Sequence, residues 1–190
     1  MQGFYALIDR LDRSEGEARA DIEALLWSTF GVEQTVLALD MTGFSRTVQA
    51  QGIVSYLARI RRMQQVSAPL VAAQGGEVVK FTADNLMAVF SDAAGALAAA
   101  RAIRAQCLAL PEPLEVSIGL DVGRFLYVPH SDCFGDPVNV AFKLAEDIAG
   151  NGEVLASAAV FEAAALPPPA LWQHASVSGL HIRYAALTEA

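Results

Sequence analysis

The chain has 190 residues, 54% of them hydrophobic, and a formal net charge of -8. That length and apolar content suit one domain with a sizeable core and exclude a disordered or low-complexity chain. The acidic balance excludes a broad nucleic-acid or anionic-membrane surface, although a small polyanion is acceptable wherever metal ions cancel its charge locally.

The first residues lack a basic stretch followed by a long apolar run, so no signal peptide is expected. Ser14 and Glu17 have capping-box spacing, and Ala18, Ile22, Leu25, Leu26 and Thr29 recur at helical intervals. An amphipathic helix over roughly 15–30 is predicted, ended by Gly31; it packs on its own domain or pairs with a partner. A change of character near Glu33 sets off this helical extension (1–32) from the remainder (33–190). Thr35–Asp40 reads as a short, continuous, buried strand. Ile53, Leu57, Ile60, Met63, Val66 and Leu70 mark one face of a long helix, kinked near Pro69 and stopped at Gly75-Gly76.

Val78–Phe81 and Leu86–Phe90 are β-rich runs joined by Thr82-Ala83-Asp84-Asn85, which predicts a hairpin. Asp92 caps an Ala-rich helix to about Leu108, and Arg101 and Arg104 interrupt its apolar run, so no segment is expected to span a bilayer. Leu114, Val116, Ile118, Leu120 and Val122 alternate with polar or small residues, predicting a strand with one buried face. Phe125–Val128 reads as its hairpin partner, with Gly123 in the turn. A helix over about Pro137–Ala149, a strand at Glu153–Ala156, a helix near Ala158–Ala164 and strands around Trp172–Val177 and His181–Leu187 follow. Hairpins mixed with crossover helices predict an α+β, ferredoxin-like layout: one mixed sheet with helices mostly on one face, preceded by a short helical N-terminal segment.

Cys107 and Cys133 lack metal-ligand or CxxC spacing and the three histidines form no cluster, so a reduced, cytoplasmic protein without structural zinc is expected. The informative residues are acidic. Asp40 ends a buried strand just before the helix start Met41-Thr42-Gly43-Phe44-Ser45, where free N–H groups suit phosphate oxygens and Gly43 admits a ligand to the backbone. Asp84 falls in the turn of a hairpin; side by side, the two carboxylates would suit two Mg²⁺ or Mn²⁺. Taken singly, Asp40 also reads as an N-cap and Asp84 as a turn residue, and spacing does not choose.

Four blocks in order, LALDMTGFS, GGEVVKFTADNLMAVF, IGLDVG and DCFGDPVNVAFKL, resemble the catalytic domains of class III nucleotidyl cyclases over roughly residues 33–187. The resemblance implies that Asp40 and Asp84 bind two divalent metal ions, with the Met41 carbonyl as a further ligand, and that Thr42, Gly43, Phe44 and Ser45 contact the substrate. It implies that Lys80 and Asp132 read the base, and both residue types favour adenine: Lys donates to a ring nitrogen, and a carboxylate accepts from the amino group. Asn139 would orient the ribose and Lys143 would stabilise the transition state. The implied activity is an adenylate cyclase acting on ATP in a homodimer, with metal carboxylates from one protomer and Lys80, Asp132, Asn139 and Lys143 from the other.

Three positions depart from the family's pattern. Lys143 stands where an Arg is usual and lacks its bidentate fork. Ala83 replaces the Gly before the second metal Asp, and Ser178 replaces a Lys for the terminal phosphate, with Arg183 or His181 as substitutes. These departures keep open an alternative: a weak or inactive cyclase-like nucleotide-binding and dimerisation module in signalling. Cys133, Phe44 and Phe134 read as packing residues. No separate sensor domain is recognisable, no nucleic-acid or membrane partner is expected, and any regulatory partner is unidentified.

Overall fold

A computed structural model describes residues 2–177 and 179–187, with the side chains of Gln2 and Ser45 outside the description. Two helices, α1 (Gln2–Asp12) and α2 (Gly16–Phe30), lead directly into β1 (Gly31–Met41) with no linker between them. The chain continues through α3 (Phe44–Gln51), α4 (Ile53–Ala73), the hairpin β2 (Gly76–Thr82) and β3 (Asn85–Phe90), α5 (Ala93–Leu108) and β4 (Val116–Val128). After β5 (Asp132–Phe134) come α6 (Asp136–Phe142), a π-turn (Lys143–Ile148), β6 (Val154–Ser157), α7 (Ala158–Ala163), β7 (Gln173–Val177) and β8 (Leu180–Ala186). The strands form one mixed sheet in the order β2-β3-β1-β4-β6-β8-β7, with β5 added to the end of β4. This is the α+β arrangement of hairpins and crossovers that the sequence predicts.

The sheet is buried on both faces, which explains why β1 is an unbroken apolar run. Leu37 and Leu39 face a core shared with Tyr56, Ile60 and Met63 of α4 and with Leu97 and Ile103 of α5. Val36 and Ala38 face the opposite side, against Val138 and Ala141 of α6 and Ala145 of the π-turn. Gly119 of β4 makes this second layer possible, because a Cβ there would lie 2.1 Å from the Ala141 carbonyl. Any side chain at 119 would push α6 off the sheet.

Several expectations are corrected. Helix α1 is not among the expected elements, although Phe4, Leu7, Ile8 and Leu11 fall at helical spacing. Phe4 is buried with Ile22, Leu26 and Val128, Leu7, Ile8 and Leu11 pack against the same cluster, and the Phe4 ring stacks on Phe134 at 5.4 Å. Ser14 forms no capping box: its hydroxyl donates to the Arg10 carbonyl, and Glu15 occupies the N-cap position without a side-chain bond. On α4 the buried stripe begins at Tyr56, leaving Ile53 and Leu57 half exposed, because the first turns project beyond the sheet. As expected, the helix runs through Pro69 and ends at Ala73, before Gly75-Gly76.

Strand β4 is one 13-residue element in place of the predicted hairpin at Gly123. It pairs with β1 from Met41↔Val116 to Gly31↔Leu126, and this continuous partner outweighs the local turn signal. Its two faces are both buried, Ser117, Gly119 and Asp121 included. The predicted helix over 137–149 divides into α6 and the π-turn, in which the Ala149 N–H donates to Leu144 O five residues back. Asp92 caps α5 as predicted, accepting from the N–H groups of Ala94 and Gly95.

Asp121 sits on the α6 side of β4, where burial pushes its pKa up to about 6 and the Ser157 hydroxyl, donating to Oδ1, opposes that rise. Ser157 Oγ also accepts from Val160 N–H and so caps α7. A carboxyl whose folded pKa exceeds its unfolded value binds protons more tightly when folded, so stability falls as pH climbs from about 4 to about 6. The cost at neutral pH is roughly 3 kcal/mol at most. Asp121→Asn keeps an acceptor for Ser157 and removes the titration. Its thermal midpoint should exceed that of the parent at pH 8 and match it at pH 3.5; equal midpoints at pH 8 would contradict this account.

Candidate functional site

Where β1 leaves the buried layers, its last residues open into a cleft of about 770 Å³ lined by Asp40, Met41, Thr42, Gly43, Phe44, Arg46, Ala83, Asp84 and Asn151. Asp40 shares the face of Val36 and Ala38 and stands opposite Asn85 of β3 in the register. Asp84 enters from the β2–β3 turn, whose Ala83 holds φ 50°, the left-handed region where a Cβ is strained. The expected Gly at 83 is therefore absent at a position that adopts glycine-type backbone. The two carboxylates face one space, as the sequence reading requires.

Charge accumulates here. The Asp40 pKa is raised to about 6, first by burial, then by repulsion from Asp84 and from Glu146. Asp84 is steadied by the Tyr56 hydroxyl, which donates to Oδ2 at 2.9 Å, and by the same burial and bond the Tyr56 proton is held well above its usual range. A pair of partly desolvated carboxylates that repel each other is a donor set that hard divalent cations relieve. No cluster of three or more His, Cys, Asp or Glu side chains with metal-binding geometry exists among the described residues, so the fit rests on this pair, with backbone or substrate oxygens completing the shell.

The phosphate-loop residues divide. Gly43, at φ 85°, turns the chain into α3 and leaves the helix N-terminus open to the cleft. The Thr42 hydroxyl is turned to the Glu115 carbonyl at 3.2 Å, and Phe44 packs edge-on against Tyr56. The Ser45 side chain lies outside the described residues.

Lys80 and Asp132, the pair expected to read a base, form a second cluster. Lys80 Nζ donates to Asp132 Oδ2 at 2.6 Å, and Asp132 Oδ1 accepts from its neighbour's N–H. A β-bulge between Val78 and Lys80 makes this contact possible: Lys80 pairs with Met87, whose side chain belongs to the α6 layer, whereas Val78 belongs to the other. Lys80 lines a recess of about 180 Å³ with Thr82, Asn85, Met87 and Phe142. Asn139 is exposed on α6, and Lys143, one helical turn on, donates to Asp147 at 2.6 Å. None of Lys80, Asp132, Asn139 and Lys143 is among the residues lining the Asp40–Asp84 cleft of the same chain.

The two candidate substitutes for a terminal-phosphate lysine each make exposed contacts within their own chain. Arg183 stacks over Trp172 and pairs with Glu162, and His181 Nδ1 bonds the Ser176 hydroxyl. Ser178 lies outside the described residues. Cys133 and Cys107 are buried, and burial raises both thiols, to about 12 and about 11, so they are inert packing groups. Sequence reasoning missed Tyr56, Glu146, Asn151 and Arg46. Glu146 accepts from the Asn85 amide at 2.5 Å, a contact created by the π-turn and invisible to helical periodicity. Arg46 was detectable, being a cation three residues after the loop glycine.

Comparison with known proteins follows this geometry. No family model matches the chain. It is 32% identical over 133 residues to "Putative adenylate cyclase 3" of Rhizobium meliloti, covering 67% of this chain and 22% of that protein. The chain thus spans about a fifth of that relative's length. Among solved structures, the adenylate/guanylate cyclase/hydrolase from Silicibacter pomeroyi superposes with TM-score 0.70 at 26% identity, covering 81% of this chain and 95% of that one. The adenylyl cyclase CyaB from P. aeruginosa shares the fold, with TM-score 0.68 at 18% identity over 84% of this chain and 96% of that one. Among the described residues, no helix is long and apolar enough to cross a membrane.

The cleft predicts how stability responds to metal. In EDTA at pH 7.5, Asp40→Asn should melt no lower than the parent, because it removes a repelled carboxylate. Millimolar Mn²⁺ should raise the parent's midpoint by several degrees and leave the variant's unchanged. An equal shift in both proteins would contradict the assignment.

Proposed function

The chain carries a class III nucleotidyl cyclase catalytic domain, and we propose that it is an adenylate cyclase converting ATP to 3′,5′-cyclic AMP and pyrophosphate in a two-fold homodimer. The observation that carries the proposal is the placement of Asp40 and Asp84 on one open cleft beside the N-terminus of α3. Retention of Lys80 and Asp132 as a touching pair supports the choice of ATP, since a base edge with one acceptor and one amino group can exchange their mutual contact for two of its own.

In the reaction, the ribose 3′-oxygen forms a bond to the α-phosphorus in line with the breaking bond to the β-phosphate oxygen. Its proton passes to solvent and pyrophosphate departs. When bound, two divalent cations supply charge neutralisation and a lowered pKa for the attacking hydroxyl. Asp40, Asp84 and the Met41 carbonyl hold them. Thr42, Gly43, Phe44 and Ser45 orient the phosphates through the loop and the helix start. From the partner protomer, Lys80 and Asp132 fix the purine, Asn139 fixes the ribose, and Lys143 meets the charge that builds on the α-phosphate. Because Lys80, Asp132, Asn139 and Lys143 lie off the carboxylate cleft of their own chain, this reading has each site built from two copies.

One observation favours a second reading, a weak or inactive nucleotide-binding module. Lys143 is engaged by Asp147 and must leave it to reach a phosphate. The two readings separate on incubation of the pure protein with Mn²⁺ and ATP: the enzyme yields cyclic AMP, whereas nucleotide binding without product selects the module. Specific activity should collapse on dilution, and a fully active monomer would contradict the shared site. Asp40→Asn and Asn139→Ala should each be inactive alone. Mixed in equal amounts they should recover about one quarter of the parental activity, since half the dimers are then mixed and each holds one intact site of two. No recovery from exchanging subunits would sink that arrangement.

Lys143→Arg, with a planar fork in place of a point charge, should be at least as active as the parent. A marked loss would remove Lys143 from the transition state.

A further inference from the structure

The cleft holds two carboxylates and one cationic side chain among the described residues that line it, and that cation is Arg46. We propose that Arg46 binds the distal phosphates of the nucleotide, a role that rests on the cleft being a nucleotide site. The placement is specific. Arg46 lies in the first turn of α3, and its Nη2 stands 3.6 Å from the point where a Cβ on Gly43 would be. The side chain, exposed to solvent, is thus folded back over the helix start.

Most other cations near the functional surfaces are already engaged. Lys80 and Lys143 hold Asp132 and Asp147, Arg62 holds Glu112, and Arg59 donates to the Pro113 carbonyl. Arg46 makes no hydrogen bond or ion pair among the described residues. Glu115, the acid that shares a neighbouring notch with Arg46, is contacted by the Thr42 hydroxyl.

Charge explains why a triphosphate needs this group. The carboxylates and their cations account for the part of the ligand near the reacting phosphorus. The terminal phosphate, two phosphates further along, keeps its own negative charge and three acceptor oxygens. A guanidinium presents donors in a fork that matches two of those oxygens, and the helix start beneath it adds N–H groups of the same sign. Arg46 therefore acts on binding of the polyphosphate tail, which is common to ATP, pyrophosphate and inorganic tripolyphosphate, and has no reason to act on a nucleoside monophosphate.

The test measures binding of inorganic tripolyphosphate with Mg²⁺ by calorimetry to the parent, Arg46→Gln and Arg46→Lys, with matching thermal midpoints as the check on folding. Loss of a charge-assisted bond predicts roughly 10- to 100-fold weaker tripolyphosphate binding in Arg46→Gln, with Arg46→Lys between. AMP affinity should be unchanged, and kcat/KM for ATP should fall by at least the same factor. Tripolyphosphate binding equal in parent and Arg46→Gln overturns the role of Arg46 while leaving the nucleotide site intact. A parent that binds neither ATP nor tripolyphosphate overturns both, and the site reading fails first.

Discussion

Two carboxylates, one near the end of a buried strand and one in the neighbouring hairpin turn, face a single cleft, and the rest of the site is arranged around them. Asp40 reaches its position because β1 is apolar and covered on both faces up to Leu39, so the strand cannot slip without burying the acid. Asp84 reaches the same cleft because the β2–β3 turn closes in two residues at the cost of left-handed backbone at Ala83. Burial first, and then the nearby charges of Asp84 and Glu146, raise the Asp40 pKa to about 6, so the ionised form is held there at a cost in stability. Such an arrangement gains free energy only when cations and a polyanion arrive, which couples ligand binding to the stability of the sheet edge.

Two irregularities tune what surrounds that pair. The bulge in β2 transfers Lys80 from the α4–α5 face of the sheet to the α6 face, beside Asp132. The π-turn after α6 inserts an extra residue into the helical repeat and delivers Glu146 to Asn85, the residue directly across from Asp40. Both devices work on the α6 layer, and that layer sits close to the sheet because Gly119 lacks a side chain. The close approach of α6 at Gly119 and the two irregularities thus set the surroundings of Lys80, Asn139 and Glu146.

The parts of this that were legible in the sequence were those with strong local chemistry. The apolar run ending at Asp40, the hairpin around Asp84 and the Asp92 cap follow from short-range rules, and four ordered blocks carried the family resemblance. Tertiary pairing overrode local signals elsewhere. Gly123 resembles a turn, but β1 offers a continuous partner and β4 runs straight past it. Ile53 and Leu57 have core spacing, yet α4 begins beyond the sheet and leaves them half exposed. Helix α1 packs through Phe4, Leu7, Ile8 and Leu11, a face that helical spacing shows, whereas the stacking of Phe4 on Phe134 is a long-range contact that spacing does not. Bulges and π-turns shift phase by one residue, so the contacts of Lys80 and Glu146 could not be read from spacing.

The most direct test of the carboxylate pair is Mn²⁺ electron paramagnetic resonance with a non-reactive ATP analogue bound. If Asp40 and Asp84 hold two ions as proposed, the spectrum should show a spin-coupled pair at two equivalents of Mn²⁺ per protomer. An isolated six-line signal saturating at one equivalent, or a pair that survives in Asp84→Asn, would contradict the account.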